Sequence, residues 1–159
     1  MASPSAWKKS RKNILIGIDF LKDVHLGRQV SVGNKVLVIG GGNVAFDCAR
    51  VARRLGAEEV HVACLESRET MPANMEEIRD GAEEGIVVHP ARAFNRVLID
   101  NGCISGVECQ EVDACEFGED GDVQIKTVED SKHTYQQTRS YLLPGSVRIS
   151  KRDSSWKPD

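Results

Sequence analysis

Val36-Leu37-Val38-Ile39-Gly40-Gly41-Gly42-Asn43-Val44-Ala45-Phe46-Asp47 passes from four apolar residues through three glycines into a segment of helical composition. Lys35 to Ile39 is short, apolar and rich in β-branched residues, as expected of a strand buried in a parallel sheet. A helix is predicted after it, from about Asn43 to Leu55, with Gly56 where a C-terminal cap belongs. Val60 to Leu65 reads as a second strand, so strand, glycine turn, helix and strand follow one another within roughly 30 residues. Met75, Ile78 and Ala82 mark a second helix ending at Gly85, and Ile86 to His89 a third, short strand. The order βαβαβ implies a parallel sheet of the doubly wound, Rossmann-like α/β class.

The flanks read differently. Residues 1–13 are polar and basic and are expected to be a disordered lead. Ile14, Ile18, Leu21 and Val24 recur at helical spacing and predict a short amphipathic helix closing at Gly27. After His89 the period changes. Ala93 to Ile99, Ile104 to Val112 and Asp122 to Val128 are strand-like, separated by Asp100-Asn101-Gly102 and by Gly118-Glu119-Asp120-Gly121. They predict an antiparallel three-stranded β-meander appended to the parallel sheet. Residues 14–134 thus form one unit, while 135–159 are polar and basic and offer no good core strand.

Composition narrows the function. The chain of 159 residues has 40% hydrophobic and 28% charged residues, the balance of one globular domain. A net charge of -3 and 5% aromatic residues give no reason to expect nucleic acid as a partner. No apolar run approaches the roughly 20 residues that cross a bilayer, and no secretory signal is visible, so no membrane contact and a cytoplasmic location are expected. The five cysteines, Cys48, Cys64, Cys103, Cys109 and Cys115, include no Cys-x-x-Cys pair. They are expected to be reduced, packed thiols rather than a cluster, a zinc site or a redox pair.

The glycine turn carries the chemistry. A diphosphate needs backbone N–H donors at close range and the positive end of a helix, and a strand turning tightly into a helix provides both. Gly40 permits the turn, Gly42 lets the diphosphate approach, and Ala45 is small enough for close helix–strand packing. A glycine cluster alone could mark an ordinary turn; here it follows a buried strand and opens a helix, which is the context a dinucleotide site requires. An acidic residue about 20 positions on can hold the adenosine ribose hydroxyls, and Glu66 is that residue. Its carboxylate repels a 2′-phosphate and favours NAD over NADP, whereas Arg68, two residues on, could reach such a phosphate. His25, His61, His89 and His133 show no metal-ligand spacing. Glu76, Glu77, Glu83 and Glu84 read as a solvated helix face, and no activated nucleophile is visible. Neither a catalytic acid or base nor a metal site is expected.

Ile39-Gly40-Gly41-Gly42-Asn43-Val44-Ala45-Phe46-Asp47-Cys48-Ala49-Arg50, followed by Glu66-Ser67-Arg68-Glu69-Thr70-Met71-Pro72-Ala73 and Glu83-Glu84-Gly85-Ile86, resembles the nicotinamide-binding domain of FAD-dependent, pyridine nucleotide-disulfide oxidoreductase-like flavoproteins. The glutamate synthase small subunit, dihydropyrimidine dehydrogenase and ferredoxin-linked NAD(P) oxidoreductases carry such domains. Gly17 to Gly27 looks like the helix preceding the domain, and the similarity runs from about Asn13 to Thr134. The resemblance implies that hydride passes from NADH, or from NADPH, to an FAD bound by other segments or by a partner subunit. It assigns Gly40, Gly42, Asn43 and Val44 to the diphosphate turn; with Gly41, Ala45, Glu66 and Arg68 these are the candidate cofactor-binding residues. Members that use NADP commonly carry two arginines where Leu65 and Glu66 stand, which adds to the expectation of NAD.

The resemblance also implies a final sheet strand after Thr134, and none is expected from residues 135–159. Tyr141 to Lys157 can be back-translated so that another frame reads Ser-Ala-Gly-Gln-Arg-Pro-Asp-Ile-Glu-Ala-Gly-Phe-Lys-Leu-Glu, a family-like continuation. A frameshift between about Thr134 and Arg139 is the expected origin of the tail. Two other readings stand beside the flavoprotein unit: a self-standing nucleotide-binding module, and a fragment without activity of its own.

Overall fold

The computed structural model describes residues 14–101, 103–119, 123–136, 140–143, 147–149 and 156–158; the lead expected over residues 1–13 lies outside them. The centre is the βαβαβ run: β2 (Lys35–Ile39), α2 (Asn43–Arg54), β3 (Glu59–Ala63), α3 (Met75–Glu83) and β4 (Val87–His89). All three strands pair in parallel, Val36 with Val60 and Val62 with Val88.

Side chains on a strand alternate between faces, and β2 is apolar on both. Val36 and Val38 pack with Phe46, Ala49 and Ala52 of α2, while Leu37 and Ile39 pack on the opposite side with Val107, Cys109 and Tyr135. Helices therefore cover one face of the sheet and the meander covers the other. α2 presents Ala45, Phe46, Cys48, Ala49 and Ala52 to the sheet, a single helical stripe. It stops where Gly56, at φ +105°, lets the Ala57 N–H fold back onto the Ala52 carbonyl at 3.2 Å. On the outer side, Arg50 bridges to Glu77 at 3.1 Å and to Glu84 at 2.9 Å, and Arg54 joins Glu84 at 2.9 Å. Two of the four glutamates read as a solvated face thus clasp α3 to α2.

Two expectations are corrected at the edge of the sheet. The helix expected from Ile14 begins only at Gly17: Ile14–Ile16 is a strand, β1, and α1 spans Gly17–His25. A three-residue apolar run satisfies either period, and an available strand edge decides it. The final strand expected to be missing is also present in the structure. Ser140–Leu143 forms β8 between β1 and β2, pairing in parallel with both, so the sheet order is β1-β8-β2-β3-β4. Tyr141-Leu142-Leu143 is too short to stand out in a basic tail, yet long enough to satisfy the backbone groups of two flanking strands. Val147–Ile149 (β9) and Trp156–Pro158 (β10) make a separate antiparallel pair.

The meander comprises β5 (Arg92–Asp100), β6 (Cys103–Phe117) and β7 (Val123–Gln136), in that order. β6 and β7 are longer than their sequence suggests, because Asp113, Glu116, Gln124 and Lys126 weaken the apolar alternation without breaking it. No helix among the described residues is long and apolar enough to cross a membrane.

Where the meander meets the sheet, histidines that look scattered in sequence come together. His61 Nδ1 and His89 Nε2 lie 2.9 Å apart, Tyr135 stands edge-on to His89 with ring centroids 5.1 Å apart, and His133 packs on Tyr135. Burial, then the neighbouring His61, Arg92 and His133, push the His89 pKa from 6.5 down to about 4. The junction between β4 and β5 is strained. Ala91 has φ +52°, held by its N–H to the Glu66 carbonyl at 2.8 Å and by its carbonyl from the Val112 N–H at 2.9 Å.

Unfolded chain takes a proton on His89 below 6.5 and folded chain only below about 4, so stability should fall as pH drops between those values and level off beneath them. Urea titrations at pH 7 and pH 4.5 should show the loss, and His89→Gln should reduce it. Ala91→Gly, which relieves a left-handed alanine, should stabilise by about 1 kcal/mol in the same assay.

Candidate dinucleotide-binding site

The three glycines at the end of β2 have three different duties. Gly40, at φ +145°, turns the chain while its N–H still reaches the Ala63 carbonyl at 2.9 Å. Gly41 is a packing position. A Cβ there would lie 2.9 Å from Glu66 Oε2 and 3.0 Å from the Cys64 Cβ, because the chain leaving β3 crosses directly against it. At Gly42 a Cβ would meet nothing within 4 Å, so the space over the helix entrance is open.

Gly42 is also the N-cap of α2, with φ −92° and ψ 177°, and no side chain caps the helix. The helix entrance therefore presents backbone donors and its positive end to the open side of the turn. Asn43 and Val44 are exposed there, and Ala45 is buried against the sheet as its small size predicts. These features fit a diphosphate.

A clasp fixes the turn from outside. Asn43 Oδ1 accepts the Asn74 N–H at 2.9 Å, and the Gly41 carbonyl accepts the Ala73 N–H at 3.0 Å. Met71 and Ala73 are buried in the helix-side core, so the segment from Met71 to Asn74 locks over the glycines. Residue-by-residue reading missed this use of Asn43; its one signal was the resemblance that groups Met71-Pro72-Ala73 with the glycine motif.

Glu66 is half-buried with its carboxylate against Gly41, whereas Arg68 is exposed. Leu65 is buried. The structure thus brings Glu66 to the turn and leaves Arg68 exposed. Cys64 beneath them is an inert thiol: burial, reinforced by the Glu66 charge, pushes its pKa up to about 12. Cys48, Cys64, Cys109 and Cys115 are all free. Among the described residues no group of three or more histidine, cysteine or acidic side chains could hold a metal ion.

Residues 4–128 match the family model described as pyridine nucleotide-disulphide oxidoreductase. This chain belongs to that family. It is 47% identical over 94 residues to the NADPH-Fe(3+) oxidoreductase subunit beta of Geobacter sulfurreducens, covering 58% of this chain and 14% of that protein. It is 45% identical over 94 residues to the NADP(+)-dependent formate dehydrogenase subunit beta of Moorella thermoacetica, covering 58% of this chain and 13% of the relative. The glutamate synthase [NADPH] small chain of Escherichia coli K12 matches at 31% over 102 residues, 64% of this chain and 22% of its own length. The chain therefore spans less than a quarter of each of these curated relatives. Among solved structures, thioredoxin reductase from T. acidophilum superposes with a TM-score of 0.58 at 12% identity, over 96% of this chain and 45% of its own, and shows the fold.

The glycines separate in a stability test. Gly41→Ala should cost about 1–3 kcal/mol, because the Cys64 Cβ sits next to the β3 exit and cannot swing aside as Glu66 can. Gly42→Ser should unfold no earlier than the parent in urea, since the site is open and serine is a good N-cap.

Proposed function

We propose that this chain is the NAD(P)H-binding unit of an FAD-dependent oxidoreductase, holding the dinucleotide so that hydride passes from its nicotinamide to a flavin. The observation that carries the reading is the uncapped entrance of α2 facing open space over Gly42. Backbone N–H groups of the turn from Gly42 to Val44 hold the diphosphate, and the clasp of Asn43 on Asn74 keeps the turn in place. Glu66 addresses the ribose hydroxyls of the adenosine half. No side chain here needs to move a proton, because hydride transfer asks the protein for position and electrostatics and the cofactors supply the chemistry. Flavin and the onward electron acceptor belong to further segments or to a partner subunit, in keeping with relatives named as subunits.

The choice of dinucleotide rests on two opposed groups. The Glu66 carboxylate disfavours a 2′-phosphate and argues for NADH. Three relatives are named for NADPH or NADP(+), and Arg68 stands exposed with a guanidinium suited to phosphate. The names of relatives this similar outweigh one carboxylate, and we propose NADPH as the preferred cofactor, with NADH as the weaker ligand.

Isothermal titration of the purified chain with each dinucleotide tests both parts. Saturable binding, tighter for NADPH, is expected. Arg68→Ala should weaken NADPH about tenfold or more and leave NADH unchanged. Gly42→Ser should weaken both while the fold survives. A folded chain that binds neither contradicts the reading, and tighter NADH binding unaffected by Arg68→Ala contradicts the cofactor choice.

A further inference from the structure

We propose that the part of the meander outrunning β5 is the outer wall of the adenosine subsite, with Ile125 and Cys115 as its contact surface. The proposal rests on the reading of Glu66 as the ribose ligand. β5 pairs with β6 only up to Arg92 opposite Glu111, so Val112–Phe117 and Val123–Val128 continue alone as a two-stranded arm.

The root of this arm is tied to the nucleotide site by consecutive backbone bonds. The Arg92 N–H reaches the Cys64 carbonyl at 2.7 Å, the Ala91 N–H reaches the Glu66 carbonyl at 2.8 Å, and the Val112 N–H reaches the Ala91 carbonyl at 2.9 Å. Register shifts on both sides of Val112 mark bulges, the device that bends a strand and redirects its side chains. Strained Ala91 lies at the centre of this connection, which gives its left-handed backbone a purpose: it hangs the arm from the residue that holds the ribose.

Beyond the bulges the two faces of the arm differ. Cys115, Val123, Ile125 and Thr127 are half-buried, while Ala114, Glu116, Gln124 and Lys126 are exposed. Cys115 lies directly opposite Ile125, so the two share one face. Burial, reinforced by the Glu66 charge, raises the Cys115 thiol. Glu66, with its carboxylate against Gly41 and its carbonyl accepting the Ala91 N–H, thus joins the glycine turn to the root of the arm. A flat, weakly polar ring attached to a ribose at Glu66 meets an aliphatic and a thiol surface there, the lining that orients an adenine without hydrogen bonds. Arg68 and Glu66 would then choose between hydroxyl and 2′-phosphate, while the arm sets affinity for the base.

The adenosine half alone tests this, using 5′-ADP and 2′,5′-ADP as probes on the full chain. Ile125→Ser should weaken the tighter probe about tenfold, and Gln124→Ser, on the opposite face, should leave it within about twofold. Bound probe should also slow alkylation of Cys115 by N-ethylmaleimide in a Cys103→Ser background, a readout that holds even if Ile125→Ser fails to fold. Probe binding that ignores Ile125 and leaves Cys115 equally reactive overturns the arm as a wall while the ribose site stands. A folded parent chain that binds neither probe nor NADPH overturns the reading of the site and the arm with it.

Discussion

A strand with no polar side chain between Val36 and Ile39 has to be covered on both faces, and the rest of the molecule is arranged to do so. α2 covers the valine face and the meander covers the face of Leu37 and Ile39. Each fully buried aliphatic side chain contributes about 1.5–3 kcal/mol of transfer free energy, so four on one short strand outweigh any local preference nearby. Because β2 is fixed from both sides, the point where it ends is fixed too. The glycine turn inherits its position from the core rather than from contacts of its own.

That inheritance explains the division among the glycines. Gly40 and Gly41 serve the fold, one by its backbone angle and the other by letting the chain after β3 cross close by. Gly42 serves neither purpose. It faces open space at an uncapped helix entrance, where many residues would fit and serine would stabilise. A glycine that the fold does not need, at the place where helix donors converge, is the observation on which the proposed diphosphate site rests. The clasp from Asn43 to Asn74 stiffens the same turn.

Local signals made the central run legible. The buried strand, its glycines, the stripe of α2 and the stop at Gly56 all lie within a few residues of one another, and each obeys a short-range rule. The packing duty of Ala45 could be read for the same reason. What sequence hid was long-range. His61, His89 and His133 meet only because parallel β3 and β4 carry two of them beneath β7. The length of the arm is masked by charged residues on its exposed face. β1 and β8 depend on the edges beside them more than on their own composition. Glu66 was singled out by its spacing from the glycines, but its closeness to Gly41 comes from the crossing of two segments about 25 residues apart.

The proposed seat of the dinucleotide diphosphate is the backbone of the turn from Gly42 to Val44. Amide nuclear magnetic resonance spectra of the isotopically labelled chain, recorded during NADPH addition, test it residue by residue. The Gly42, Asn43 and Val44 amides should move most and saturably, with Glu66 and Arg68 following. Movements confined to other elements, or a well-dispersed spectrum in which these amides stay fixed, would contradict it.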